Sequence, residues 1–253
     1  MSDELKVIIT RPEQQGLQLK QALAEIGIAS ICQPLFDYQL NTDAKHIHQQ
    51  IEQLSPNIII FISVAAVEFA NKALPLKNWI QSQQTIIAVG ETTQLALFKL
   101  GIQAICPKTY TSEGILALSQ LEESQLTHIA PANILIVRGD GGRELLAEQL
   151  RLRGANVKYL ESYQRHWLPF TSEHIDQWHQ KNINTIVITS NDLLKRVVDL
   201  IDITDNYWQN TCLWLVVSER IAQSAQKMGL KNVVNSNGAN NQLIITTLLN
   251  MES

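Results

Sequence analysis

Residues 133–157 read NILIVRGDGGRELLAEQLRLRGANV, from Asn133 to Val157. An apolar run meets a glycine-rich turn, and the turn opens directly into a segment with helical periodicity. Leu145, Leu146, Gln149 and Leu150 fall along one side of a helix predicted over 142–153. Gly154 ends that helix where left-handed backbone is usual, and a second apolar run follows at 156–160. Strand, turn, helix and strand in this order make a parallel βαβ unit. The turn at the carboxyl end of such a strand is a place for an anion, because backbone N–H groups and the helix dipole both point at it.

The same alternation runs through the chain. Apolar runs predict strands at 5–10, 28–33, 57–62, 85–89, 102–106, 133–137, 156–160, 185–189, 213–217 and 231–234. They are rich in isoleucine and valine without polar alternation, as in strands covered on both faces. Gly27, Gly101, Gly154 and Gly229 each follow a helical segment. The pattern also repeats. A shift of about 127 residues pairs Arg11 with Arg138, Leu19 with Leu146, Leu23 with Leu150, Gly27 with Gly154, Asn57 with Asn184 and Ser63 with Ser190. One further residue of shift pairs Gly90 with Ser218, Glu91 with Glu219 and Gly101 with Gly229. Two similar α/β halves are expected.

Composition bounds the function classes. With 253 residues, 45% hydrophobic and 17% charged, the chain has the make-up of a soluble globular protein with one large or two small domains. A net charge of −4 supplies no basic field for nucleic acid. The start MSDELKVIIT is acidic and enters a strand at once, unlike a secretory signal. No apolar run approaches the ~20 residues that span a bilayer. A cytoplasmic location is expected, with no membrane partner. Cys32, Cys106 and Cys212 lie in or beside apolar runs and read as buried free thiols.

The carboxyl ends of the predicted strands carry Thr10-Arg11-Pro12, Ser63, Gly90-Glu91-Thr92-Thr93, Arg138 to Arg143, Thr189-Ser190-Asn191 and Ser218-Glu219-Arg220. These residue types admit a ligand to the backbone, cap helices or bind carboxylates. Helix capping accounts for any one of the hydroxyls; the set is more informative than its members. The turn Gly139-Asp140-Gly141-Gly142-Arg143-Glu144 fails as a nucleotide motif, lacking the last glycine of G-x-G-x-x-G and any Gly-Lys-Ser/Thr. His46 and His48, and His174 and His179, have no companions at metal-ligand spacing and read as solvated. No nucleophile elbow is found.

Across the whole chain the motifs resemble the uroporphyrinogen-III synthase family. The resemblance rests on ITRPEQQGLQLKQAL, FISVAAVEF, AVGETTQLALFKLGI, PKTYTSEGILAL, GDGGRELLAEQLRLRGANV, ESYQR and VVSERIAQSAQKMG, in this order. Ile62 departs from the pattern, standing where the family often has threonine. The resemblance implies two flavodoxin-like parallel-sheet lobes joined by a two-stranded linker, with a substrate cleft between them. The crossings then fall near 34–38 and 160–165, giving one lobe of 36–163 and a discontinuous one of 1–35 plus 164–253.

The substrate so implied is hydroxymethylbilane, a linear tetrapyrrole with an acetate and a propionate on each ring. The anions at the turns are then carboxylates. Substrate-binding residues carried over are Arg11, Ser63, Gly90, Thr93, Ser112 and Gly114. With them go Arg138, Gly139, Gly141, Gly142, Arg143, Ser190, Ser218 and Arg220. The expected reaction is cyclisation with loss of water and inversion of ring D through a spiro intermediate, without cofactor or metal. Tyr163 of ESYQR matches the family's candidate acid; a phenol is protonated at neutral pH and donates. A monomer is expected, with room for transient contact with the upstream deaminase. A non-enzymatic two-lobed binding protein and a nucleotide-linked reductase are the rival readings; the first is commonly exported or fused to a DNA-binding head, the second needs the missing glycine motif.

Overall fold

The computed structural model describes residues 4–127, 131–141, 144–201 and 205–252. Its strands are β1 (Lys6–Ile9), β2 (Ala29–Cys32), β3 (Phe36–Leu40), β4 (Ile58–Phe61), β5 (Thr85–Ala88), β6 (Asn133–Gly139), β7 (Asn156–Trp167), β8 (Thr185–Ile188), β9 (Leu213–Val216) and β10 (Val233–Asn235). They form two five-stranded sheets, ordered β10-β9-β8-β1-β2 and β3-β7-β6-β4-β5. Both are parallel apart from β3. Asn41 N–H donates to the Ser162 carbonyl and Leu168 N–H to the Leu35 carbonyl, so β3 runs antiparallel to β7.

The chain divides into two compact units, Met1–Asp37 with His166–Ser253, and Tyr38–Arg165. The repeat maps β1 onto β6, β2 onto β7, β4 onto β8 and β5 onto β9. Each sheet therefore draws strands from both halves of the repeat: β1 and β2 sit with β8, β9 and β10, while β4 and β5 sit with β6 and β7.

Strand alternation explains why the runs carry no polar positions. In the second sheet Ile59, Phe61, Leu135, Val137 and Leu160 bury against one face together with Val67 and Leu97. Ile58, Ile60, Ile134 and Ile136 bury against the other, with Leu146, Leu150 and Ile115. Fully burying each such side chain stabilises by roughly 1.5–3 kcal/mol. The helix predicted over 142–153 is Leu145–Leu152, with Leu146, Ala147 and Leu150 buried. The four glycines expected to end helices all have positive φ, between 80° and 95°. Here a side chain would be strained, so glycine lets the last carbonyls close without cost.

Three expectations need correction. The predicted strand 102–106 is reduced to one bridge, Ile87 to Ile105, because Pro107 has no N–H to extend the ladder. The strand predicted over 156–160 continues to Trp167, and β3 had no apolar run to announce it. All three cysteines are free, but only Cys212 is buried. Cys32 is half-buried because β2 is the edge of its sheet. No helix among the described residues is long and apolar enough to cross a membrane.

The unit Tyr38–Arg165 is continuous in sequence and has its own two core clusters. Expressed alone, residues 38–165 should fold, with α/β circular dichroism and one cooperative urea transition. A broad, non-cooperative transition would contradict this.

Candidate functional site

Tyr163 lies in the second half of β7, beside the last residue of β6, where the ladder between them slips. Val137 pairs with Leu160 and Arg138 with Glu161, but Gly139 pairs with Tyr163, leaving Ser162 as an extra residue. The buried Ser162 hydroxyl lies 3.2 Å from both the Ala66 and Arg138 carbonyls, either of which can accept its one proton. Tyr163 packs over Gly139, where a Cβ would lie 2.5 Å from the ring. Tyr38 meets it edge-on at 4.7 Å and Phe69 lies at 5.7 Å. The Asp140 N–H donates to the Tyr163 carbonyl at 2.8 Å.

The Tyr163 hydroxyl is 3.2 Å from Ser63 Oγ. Ser63 caps the helix Val64–Ala73, and its oxygen accepts the Ala66 N–H at 3.0 Å. The phenol is thus tied, through one serine, to a helix N-terminus. Burial, and then the neighbouring Tyr163, push the Tyr38 hydroxyl up to about 12 against the pull of Arg165. Tyr38 therefore stays protonated at neutral pH.

Arg138 points from the opposite face of β6. It is only 2% exposed, and its guanidinium lies 4.3 Å over the Tyr159 ring. Its Nη1 donates to Glu144 Oε1 at 2.9 Å, and Tyr159 Oη donates to Glu144 Oε2 at 2.5 Å. These two bonds, Tyr159 first, hold the Glu144 carboxyl below the usual carboxylate range. Burial and Glu144 together push Tyr159 up to about 12. Arg138 and Tyr159 line a cavity of about 380 Å³ with Ile62, Tyr110, Ser112 and Ile136.

The remaining candidates take varied places. Gly90 lies under the Tyr110 ring, and a Cβ there would be 3.1 Å from it. Thr93 is buried within the helix Glu91–Lys99. Gly114 packs so tightly on Thr109 that a Cβ would overlap its carbonyl. Gly141 has φ of 70° and turns the chain after β6. Gly142 and Arg143 lie outside the described residues. In the first unit Arg11 is 4% exposed and donates to Asn241 Oδ1 at 2.9 Å and to the Ala239 carbonyl. Burial lowers Arg11 to about 10, which leaves it charged at neutral pH. Ser190 caps its helix through Leu193 N–H at 3.2 Å, whereas Ser218 makes no side-chain cap bond. Arg220 is exposed on the first turn of the helix Glu219–Lys227.

Tyr38, Phe69, Tyr110, Glu144 and Tyr159 join these groups without having been singled out. Tyr159 and Glu144 carried a faint signal, since both flank the glycine turn and its helix near the quoted stretch. Phe69 carried none beyond its place in FISVAAVEF.

The class so defined is an α/β protein of two parallel sheets whose strand ends carry hydroxyl, glycine and buried arginine. Residues 18–245 match the family model described as uroporphyrinogen-III synthase HemD. Uroporphyrinogen-III synthase of Salmonella typhimurium is 32% identical, the match covering 96% of this chain and 100% of the relative. That of Escherichia coli is 29% identical over 96% and 100%. Among solved structures, a mutant uroporphyrinogen III synthase of the extremely thermophilic bacterium Thermus thermophilus superposes with a TM-score of 0.65 at 12% identity, covering 98% of this chain and 99% of that one. The Helicobacter pylori enzyme gives 0.60 at 13%, with 98% and 99% covered. The chain belongs to the uroporphyrinogen-III synthase family.

Gly139→Ala tests the packing that positions Tyr163. Overpacking of this kind costs about 1–3 kcal/mol, and misplacing a reacting group by about 1 Å costs on the order of 10²-fold. We expect a lower melting temperature and a loss of turnover larger than removal of the Tyr163 hydroxyl itself produces. Wild-type stability and turnover would show that the contact relaxes freely.

Proposed function

We propose that this chain cyclises hydroxymethylbilane to uroporphyrinogen III, with Tyr163 assisting departure of the substrate's hydroxyl. The observation that carries the reading is the Tyr163 hydroxyl held 3.2 Å from a helix-capping serine. Because Ser63 Oγ accepts the Ala66 N–H, its own proton is free to go to Tyr163 Oη. The Tyr163 proton is then directed outward, to the leaving oxygen.

The pyrrole nitrogen pushes its pair through the ring, the C–O bond breaks, and water leaves with the proton donated by Tyr163. The azafulvenium cation so formed on the hydroxymethyl-bearing ring is attacked by the substituted carbon of ring D, at the other end of the bilane, forming the spiro intermediate. That ring's other bond breaks and re-forms at its free carbon. The proton lost there restores aromaticity and balances the one supplied to water. Substrate electronics drive each step, so the protein's part is to fold the bilane and hold its reacting ends.

The strand-end turns supply anchors for carboxylates. Backbone N–H groups at Gly90, Gly139, Gly141, Ser190 and Ser218, and the exposed Arg220, suit acetate and propionate groups without a basic surface. The family match across most of the chain supports this substrate class.

Purified protein given hydroxymethylbilane, with no metal or nucleotide added, should yield the type III isomer after oxidation and chromatography. Exclusive type I product would remove the assignment. Tyr163→Phe should lower saturated turnover by about 10–100-fold. That lies between the roughly tenfold of one neutral hydrogen bond and the upper reach of general-acid catalysis. Full turnover in a variant of unchanged melting temperature would leave Tyr163 as a packing residue.

A further inference from the structure

Arg138 is a charge almost wholly withdrawn from bulk water. Unlike Arg11, it is paired with a carboxylate, and removing one partner of such a pair is strongly destabilising unless another takes its place. Glu144 fills that role from a different environment: its side chain is 49% exposed. The two members of the pair are therefore unequal. Glu144 can turn into solvent and be hydrated there, whereas Arg138 must stay and find another carboxylate. The exchange keeps Arg138 paired throughout, and the half-exposed Glu144 carboxylate regains hydration when it leaves.

The surroundings are built for such an exchange. Arg138 and Tyr159, the two groups that hold the Glu144 carboxylate, both line the cavity of about 380 Å³. That is near the lower end of pockets for small molecules, about 300–1,000 Å³, and suits one ring's side chain. Ile62, Ile115, Ile136 and Leu146 give it apolar walls and Tyr110, Thr111 and Ser112 add hydroxyls, so Arg138 is the one charged group among the described residues lining it. Arg151, 5.8 Å from the Tyr159 ring, adds positive field to the same spot.

We propose that Glu144 is a stand-in for a ligand carboxylate: an acetate or propionate entering this cavity takes its place on Arg138 and Tyr159, and Glu144 turns out to water. This rests on the reading of the substrate as a polycarboxylate. Its consequence is that Glu144 weakens binding while keeping the empty site neutral. The internal carboxylate sets a threshold that a neutral ligand of the same shape does not cross.

Propanoate, titrated into the full-length chain, is the probe, with propanamide as the uncharged control. In the wild type, propanoate should shift the Glu144 carboxyl ¹³C resonance and propanamide should not. Glu144→Gln, which removes the competing charge, should bind propanoate about five- to tenfold more tightly. Arg138→Gln should abolish binding. A Glu144 resonance that ignores saturating propanoate, or equal or weaker binding by Glu144→Gln, overturns the proposal. Should Glu144→Gln not fold, the wild-type resonance decides alone. The isomer assay on the wild type is read separately. Type I product with a responding Glu144 refutes the reaction and spares the exchange, while type III product with a silent Glu144 does the reverse.

Discussion

The register slip between β6 and β7 is what the placement of Tyr163 depends on. Regular alternation would send residue 163 to the same face as Tyr159, against the helices that carry Ile115 and Leu146. The extra residue, Ser162, turns Tyr163 to the face of Leu160 and Val137, where it meets Ser63, Tyr38 and Phe69. Bulges at strand ends commonly re-aim a side chain in this way. Ser162 leaves no unsatisfied hydroxyl behind, since either of two carbonyls can accept its proton. Gly139 leaves the space, because any Cβ would enter the ring.

The same strand end separates two kinds of chemistry. Gly139 and Tyr163 belong to one face of the sheet, Arg138 and Tyr159 to the other. The repeat gives Arg138 a counterpart in Arg11, and both are nearly inaccessible. Their partners differ in kind. Arg11 is fastened to a neutral asparagine and a backbone carbonyl in the turn at 239–241, while Arg138 is neutralised by a carboxylate. Hydrogen bonds alone leave the Arg11 charge uncompensated, and desolvation lowers its pKa. One repeated position thus serves as a brace in one unit and as a charged pair beside a cavity in the other.

Much of this was legible because it follows from periodicity. The uninterrupted apolar runs required strands covered on both faces, and the helix-ending glycines marked left-handed residues. What escaped had no periodic signal. β3, reading FDYQL, holds one buried residue, and its Phe36 and Tyr38 rings pack on Trp167 and Tyr163 of a strand far off in sequence. The slip at Ser162 is a count of two residues against one across strands separated in sequence, which no local window registers. Grouping Arg138 with Gly139 as one turn was reasonable in one dimension, and alternation placed them back to back. Glu144 read only as the last residue of the glycine turn, because nothing local reveals that the arginine six residues earlier is buried. The family resemblance located Tyr163 but not its environment.

A reaction driven by its substrate needs geometry more than acid strength, which suits the role proposed for Tyr163. The residue is carried on a strand within a paired ladder rather than on a loop, its ring is held by two aromatics, and its hydroxyl is oriented by a serine committed to a helix cap. Sites built on strands and helices hold tighter tolerances than sites on loops. A substrate with one leaving oxygen and many carboxylates then gains selectivity from where it is held, and a chain of net charge −4 has no general attraction for anions with which to hold it. On the reading proposed above, local anchors do that: backbone N–H groups at strand ends, the exposed Arg220 and the buried Arg138. Burial gives Arg138 its reach, since a guanidinium in low dielectric acts on a carboxylate far more strongly than one on the surface.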